Sequence, residues 1–260
     1  MINLYEKYPI FIDSDPRKER TLPYRTTPEF MQTRHELIFK NISFQDKTVL
    51  DLGCCAGYTG AWALTHGAAK YYGVEFSKEL YDIANDNFTK SFNVTSWELY
   101  NISIEEFLES NTQHFDIIIA MGVIYAFVDP VYFLRKLSGI GDVLVIESSH
   151  HREEDLNLTV LENSTFVSYS GQKMIYNDTK TDIMYYSARP SISLVRKILN
   201  FSGFAASDAE NLLLMEQLSD HYQIAHNKRF ALVAHKTGHK EKPLGYVSTI
   251  KNNEINKYRW

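Results

Sequence analysis

The segment Thr48–Ser77, TVLDLGCCAGYTGAWALTHGAAKYYGVEFS, reads as strand, glycine turn, helix and second strand. Its glycines follow the pattern Asp51-x-Gly53-x-x-x-Gly57. A dinucleotide turn needs G-x-G-x-x-G, and a P-loop needs a Lys-Ser/Thr pair after its glycines; neither is present. The turn permits close backbone approach, but an acidic residue, Asp51, stands at its head. A carboxylate there repels a pyrophosphate and attracts an ammonium or sulfonium group. Glu75 closes the second strand, where an acid accepts both hydroxyl protons of an unphosphorylated ribose.

Outward from this unit the alternation continues. SKELYDIANDNF is a helix capped by Ser77, SWELYN a third strand, and FDIIIAMGV a fourth, apolar throughout as a strand covered on both faces should be. DPVYFLRKLSG reads as a helix capped by Asp129, with Pro130 inside and Gly139 beyond its end, and GDVLVIES as a fifth strand. Residues 150–188 break the rhythm with alternating polar and aromatic stretches, STFVSYS and IMYYSA, which suggest an inserted hairpin. SISLVRKILNFSGF resumes as a helix with Leu194, Val195, Ile198 and Leu199 facing inward. A strand is expected within AASDAENLLLM and a last one at RFALVAHK. Upstream, TPEFMQTRHELIFKNI reads as a helix capped by Thr27, preceded by a loop-rich arm.

Strands spaced by helices in this order predict an α/β fold: a Rossmann-like, seven-stranded, mainly parallel sheet with helices on both faces. An N-terminal arm and a hairpin-like insertion after strand five complete it. The expected organisation is an arm and helix over 1–45 covering the pocket, a core domain over 46–236 with a substrate cap at 150–188, and a polar tail over 237–260.

The 260 residues carry a formal net charge of −5, which disfavours a uniformly basic nucleic-acid surface. Cys54 and Cys55 are adjacent and cannot form an ordinary structural disulfide with each other. With no secretory signal in view, they point to a reducing, cytoplasmic setting. No apolar run is long enough to suggest a membrane span. No H-x-x-x-H or carboxylate cluster supports a metal.

Ribose, a cationic amino-acid-like head and no phosphate together describe S-adenosyl-L-methionine. VLDLGCCAGYTG followed by GVEFS resembles the first two motifs of the class I SAM-dependent methyltransferases, over roughly Thr48 to Glu147 and more loosely Ser191 to Lys236. The resemblance implies cofactor contacts at Asp51, Gly53, Cys54, Gly57, Glu75 and Phe76. Ser103 and Ile104 in NISIEEF match the polar–apolar pair that flanks the adenine, without the family's Asp. After strand four, Ala120, Met121 and Gly122 would line the methionine side. Cys54 and Cys55, within the turn, are expected to pack rather than react.

MGVIYAFVDPVYFLRKL also resembles the matching segment of the tRNA wobble-uridine carboxymethyltransferases, which makes Tyr125 a further cofactor contact and aligns Arg34 with an arginine of that branch. The basic side chains with which that branch holds the extra carboxylate of carboxy-SAM are replaced. Met31 stands at one such position, and Ile183 or Met184 at another, with Arg189 close by. A second carboxylate would be poorly paired on burial, so ordinary SAM is expected.

Methyl transfer needs alignment, with a base only where the acceptor must lose a proton. The candidates follow strands four and five: Tyr125, Glu147, His150 and His151. Tyr185, Tyr186 and Arg189 precede the helix at Ser191 and are expected to meet the acceptor. The expected activity is methylation of O or N on a small organic, sugar or natural-product acceptor. The alternatives are a tRNA-modifying enzyme, supported by the lysine-rich tail, and a non-catalytic SAM-binding module.

Overall fold

Apolar residues of β-forming type alternate sides along the central strands, and that alternation sets which residues meet at the site. The computed structural model describes residues 3–16, 27–127, 129–149, 167–175, 182–207 and 229–238. Three helices come first: α1 (Leu4–Lys7), α2 (Ile10–Asp13) and α3 (Pro28–Ile38). Then follow β1 (Thr48–Leu52), α4 (Tyr58–Thr65), β2 (Lys70–Val74), α5 (Lys78–Ser91), β3 (Trp97–Tyr100), α6 (Ile104–Ser110), β4 (Phe115–Met121), α7 (Pro130–Ile140) and β5 (Gly141–Ser149). A hairpin of β6 (Val167–Ile175) and β7 (Asp182–Pro190) precedes α8 (Ile192–Phe201), β8 (Phe204–Ser207) and β9 (Arg229–Lys236).

Seven strands form one sheet in the order β3-β2-β1-β4-β5-β9-β8. The first five are mutually parallel, and β9 runs antiparallel to both β5 and β8. The mainly parallel sheet expected from sequence is therefore present, with an antiparallel edge. Because side chains alternate, Val49, Ile117, Ile119 and Val145 face one layer, where they meet α3, α4, α5 and the arm. Leu50, Leu52, Ile118, Ala120, Leu144 and Ile146 face the other, against Phe107, Leu108, Phe133, Leu137, Val195 and Leu199 of α6, α7 and α8.

The helix starts follow the sequence signals. The Thr27, Ser77 and Asp129 side chains accept from the amides of Phe30, Leu80 and Tyr132, each satisfying one orphan N–H. The stop at Gly139 does not hold, since α7 runs on to Ile140. Burial of Phe133, Leu134 and Leu137 outweighs a glycine's cost of about 1 kcal/mol in a helix interior.

The arm is more ordered than its turn-rich sequence suggests. Asn3 caps α1, and the Leu4 amide donates to Gln32 Oε1 at 2.9 Å. Tyr5, Phe11 and Ile12 are buried in the core layer of α3–α5. The Tyr5 hydroxyl meets His35 Nδ1 and donates to the Tyr58 carbonyl at 3.2 Å, while the Tyr58 hydroxyl donates to the buried Asp15 carboxylate. Asn87 closes the same region, its Nδ2 donating to the Ala56 carbonyl at 3.0 Å. Arm and glycine turn are thus bonded together. Tyr58→Phe is expected to lower the urea midpoint by the equivalent of about 1–2 kcal/mol, the loss of a buried hydrogen bond to a carboxylate. An unchanged midpoint would show that this bond contributes nothing.

Candidate functional site

In an open parallel sheet, a crevice forms at the carboxyl ends where neighbouring crossovers leave in opposite directions. Here that point lies between β1 and β4. The turn after β1 is pressed close to the segment after β4: a Cβ on Gly53, whose φ is +76°, would lie 2.7 Å from Val123 Cγ1. Gly57, at φ +92°, is equally confined by Phe88 and by Phe11 of the arm. Position 55 is not a glycine, yet Cys55 adopts φ +52°. That conformation costs a non-glycine residue roughly 1–2 kcal/mol.

A hydrogen bond holds Cys55 there, its amide donating to Glu75 Oε2 at 3.0 Å. The Gly53 and Cys54 amides both donate to the Val74 carbonyl, and the Gly57 amide to that of Cys54. Four amides of the turn are therefore spent inside the protein. A phosphate cradle needs such amides aimed outward, so the turn does not fit an anion. Its charge fits a cation.

Two carboxylates supply that charge. Asp51 is 3 % exposed, and its Oδ2 accepts from the Tyr71 hydroxyl at 2.9 Å. Burial pushes its pKa up to about 7; the Tyr71 bond opposes this, nearby Glu75 adds to it, and Arg34 opposes it. Glu75 is also buried, and its other oxygen accepts from the Ser77 amide at 2.8 Å. Asn101 Nδ2 bonds the carbonyls of Glu75 and Phe76, at 2.9 and 3.0 Å. That fixes the backbone beneath Phe76, a residue 56 % exposed beside Glu75.

Other sequence-selected residues occupy varied positions. Cys54 is buried under the turn, and burial pushes its thiol well up, which suits packing. The Ser103 hydroxyl is engaged as the cap of α6, accepting from the Glu106 amide at 3.1 Å, and Ile104 packs on the adjoining core. Met121, at the end of β4, packs on the α3–α5 layer. Tyr125 lies half-buried in the 3-10 turn Ile124–Ala126, and β7, which carries Tyr185, Tyr186 and Arg189, runs beside that turn. His150 and His151 lie outside the described residues. Among the described residues, no group of three or more His, Cys, Asp or Glu could hold a metal ion. No helix among them is long and apolar enough to cross a membrane.

Two residues and one pairing were missed in the sequence. Tyr71 fixes Asp51, and its signal is Gly73: a mid-strand glycine marks close approach, and a Cβ there would meet Cys54 Sγ at 2.9 Å and the Tyr71 hydroxyl at 3.1 Å. Asn101 had no signal beyond its place after β3. The third is a pair. Glu147, fully buried at the end of β5, binds Arg34 of α3 through Oε2 at 3.3 Å, and its carbonyl accepts the Gly122 amide at 2.7 Å.

Comparison with known proteins gives a consistent result. A family model described as a methyltransferase domain matches residues 43–203. No curated protein matches the sequence. Among solved structures, the DhpI–SAH complex aligns with a TM-score of 0.57 at 11% identity, covering 91% of this chain and 98% of that one. The N-terminal domain of EvdMO1 with SAH bound gives 0.55 at 15% identity, covering 80% of each chain. Magnesium protoporphyrin IX methyltransferase (ChlM) from Synechocystis PCC 6803 with bound SAM gives 0.52 at 11% identity, covering 91% and 98%. At these identities the likeness is one of fold.

Proposed function

The chain belongs to the methyltransferase-domain family, and from that premise we propose that it takes S-adenosyl-L-methionine as methyl donor and methylates O or N of a small organic, sugar or natural-product acceptor. One observation carries the cofactor assignment. Two buried carboxylates, Asp51 and Glu75, flank a turn whose amides are spent internally. That suits a ribose and a cationic amino-acid end, and it disfavours a phosphate. The solved relatives with SAM or SAH bound support it by fold.

Bound there, the cofactor supplies a methyl carbon already activated by its sulfonium sulfur. Glu75, oriented by the amides of Cys55 and Ser77, accepts the ribose hydroxyls, since each carboxylate oxygen keeps acceptor capacity beyond one N–H. Asp51 takes the ammonium. Phe76 and Ile104 offer apolar surface to the adenine, with Cys54, Gly53 and Gly57 shaping the turn and Ser103 holding α6 in place. Met121 and Tyr125 border the methyl end. An acceptor held against the Met121 and Tyr125 side would receive that methyl group by displacement, the sulfur leaving as a neutral thioether. Any acceptor proton passes to a base, for which Tyr125, His150 and His151 are the candidates by their place after β4 and β5. Glu147 is not among them, because Arg34 seals it in an ion pair.

The arm, over 1–45, and the hairpin segment, over 150–188, would enclose the acceptor, with Tyr185, Tyr186 and Arg189 on β7. Of the tail over 237–260, all but Thr237 and Gly238 lies outside the described residues. A second reading, tRNA modification, is favoured by the likeness of MGVIYAFVDP and Arg34 to the wobble-uridine branch. Salt-sensitive RNA binding that competes with neither SAM nor SAH would promote it. Transfer of a carboxymethyl group is disfavoured because Met31, buried in the apolar layer of α3, stands where that branch holds the extra carboxylate with a basic side chain. The deciding measurement is calorimetric titration with S-adenosylhomocysteine. Saturable one-site binding is expected, and a folded protein that shows none would sink the assignment.

A further inference from the structure

Strand alternation places Asp51 of β1, Met121 of β4 and Glu147 of β5 on one side of the sheet, because each continues the series Val49, Ile119 and Val145. That is the side covered by α3, which carries Arg34. Glu147 pairs with Met121 in register, two rungs beyond the Asp51–Ile119 row, so the three groups span the crevice between β1 and β5. The Arg34–Glu147 pair is asymmetric: the carboxylate side chain is 0% exposed, whereas the arginine retains 17%. Sealing a carboxylate without a cation is costly, so Glu147 fixes the guanidinium at the carboxyl edge of the sheet. The charge of Arg34 also acts on Asp51, holding its pKa lower than burial alone would.

The row therefore reads minus, plus, minus: Asp51, Arg34, Glu147. An amino-acid end carries an ammonium and a carboxylate on one carbon, and needs one receptor of each sign side by side. A guanidinium presents five donors in a planar fork and can serve two carboxylates together. We infer that Arg34 is the receptor for the α-carboxylate of the cofactor's amino-acid end, with Asp51 taking the neighbouring ammonium and Glu147 acting as the positioning residue that aims the guanidinium. This rests on the cofactor reading above. It makes Arg34 the residue that selects a cofactor with an intact amino acid over one lacking the carboxylate.

The test crosses two ligands with three proteins by calorimetry. The ligands are S-adenosylhomocysteine and its carboxylate-free analogue S-adenosyl-3-thiopropylamine. The proteins are wild type, Arg34→Lys, and the double variant Arg34→Gln/Glu147→Gln, which leaves no buried charge stranded. Circular dichroism and a urea midpoint establish folding. Wild type is expected to prefer S-adenosylhomocysteine by about tenfold or more, the scale of a charge-assisted bond. The double variant loses that preference by weakening S-adenosylhomocysteine alone, and Arg34→Lys, which keeps the charge, recovers part of it. Equal weakening of both ligands, or of neither, overturns the assignment and leaves the pair as a staple between α3 and β5. Should the double variant fail to fold, the wild-type ratio decides: no preference for the carboxylated ligand overturns the inference. Wild type that binds neither ligand defeats the cofactor reading itself.

Discussion

Glu75→Gln is expected to weaken S-adenosylhomocysteine binding by about 100-fold, through loss of charge-assisted acceptance and of the geometry that supports it. In the native site both carboxylate oxygens are engaged, one by the Cys55 amide and one by the Ser77 amide. Glutamine replaces one oxygen with an NH2 group, which must face one of those two N–H donors. Either choice sets donor against donor. If the Cys55 bond goes, the residue at φ +52° loses the partner that holds it in a costly conformation, and the turn relaxes. The ribose loses an acceptor at the same time. Circular dichroism should report a folded variant, because no core hydrophobic contact is removed. Affinity within threefold of wild type would show that Glu75 serves the turn and not a ligand.

The legibility of this site follows the range of its forces. Local signals were readable: Thr27, Ser77 and Asp129 cap helices, the apolar run at 115–121 forms a strand covered on both faces, and Gly57 sits at positive φ. Asp51 and Glu75 were readable because charge at the head of a glycine turn has a direct chemical meaning. Contacts between distant segments were not. Arg34 was visible as an aligned residue, but only the fold brings it to Glu147, which sequence reasoning had taken for a possible base. The arm had turn residues and scattered aromatics, and nothing local showed that Tyr5 and Phe11 would be drawn into the core beside the turn. Gly139 failed as a helix stop because tertiary burial of its neighbours overrides a propensity of about 1 kcal/mol.

Cofactor affinity should rise by about 100-fold between pH 5 and pH 8, because binding a cation requires ionised Asp51. Its carboxyl is pushed up to about 7 in the free protein, chiefly by burial. Below that value the site holds a neutral acid with nothing to offer an ammonium, and affinity falls up to tenfold per pH unit. The stability of the free protein runs the opposite way. A folded pKa raised from 3.8 to about 7 means that the folded state binds the proton more tightly than the unfolded chain does. The resulting stabilisation, on the order of 4 kcal/mol, is complete below the unfolded value and is lost as pH rises through 7. The groups around it are the neutral Tyr71 hydroxyl and the charged side chains of Glu75 and Arg34. Burial drives the Tyr71 and Cys54 pKa values well up and that of His35 well down, away from this transition. Asp51→Asn, which keeps an acceptor for Tyr71, should bind weakly and flatten both profiles. A wild-type affinity that does not change from pH 5 to pH 8 would place the ammonium elsewhere. The opposed slopes have a functional meaning: at neutral pH the free site stores the cost of a buried carboxylate, and an arriving cation releases it. On this reading, a turn that lacks the glycine spacing of a phosphate loop serves to recognise positive charge.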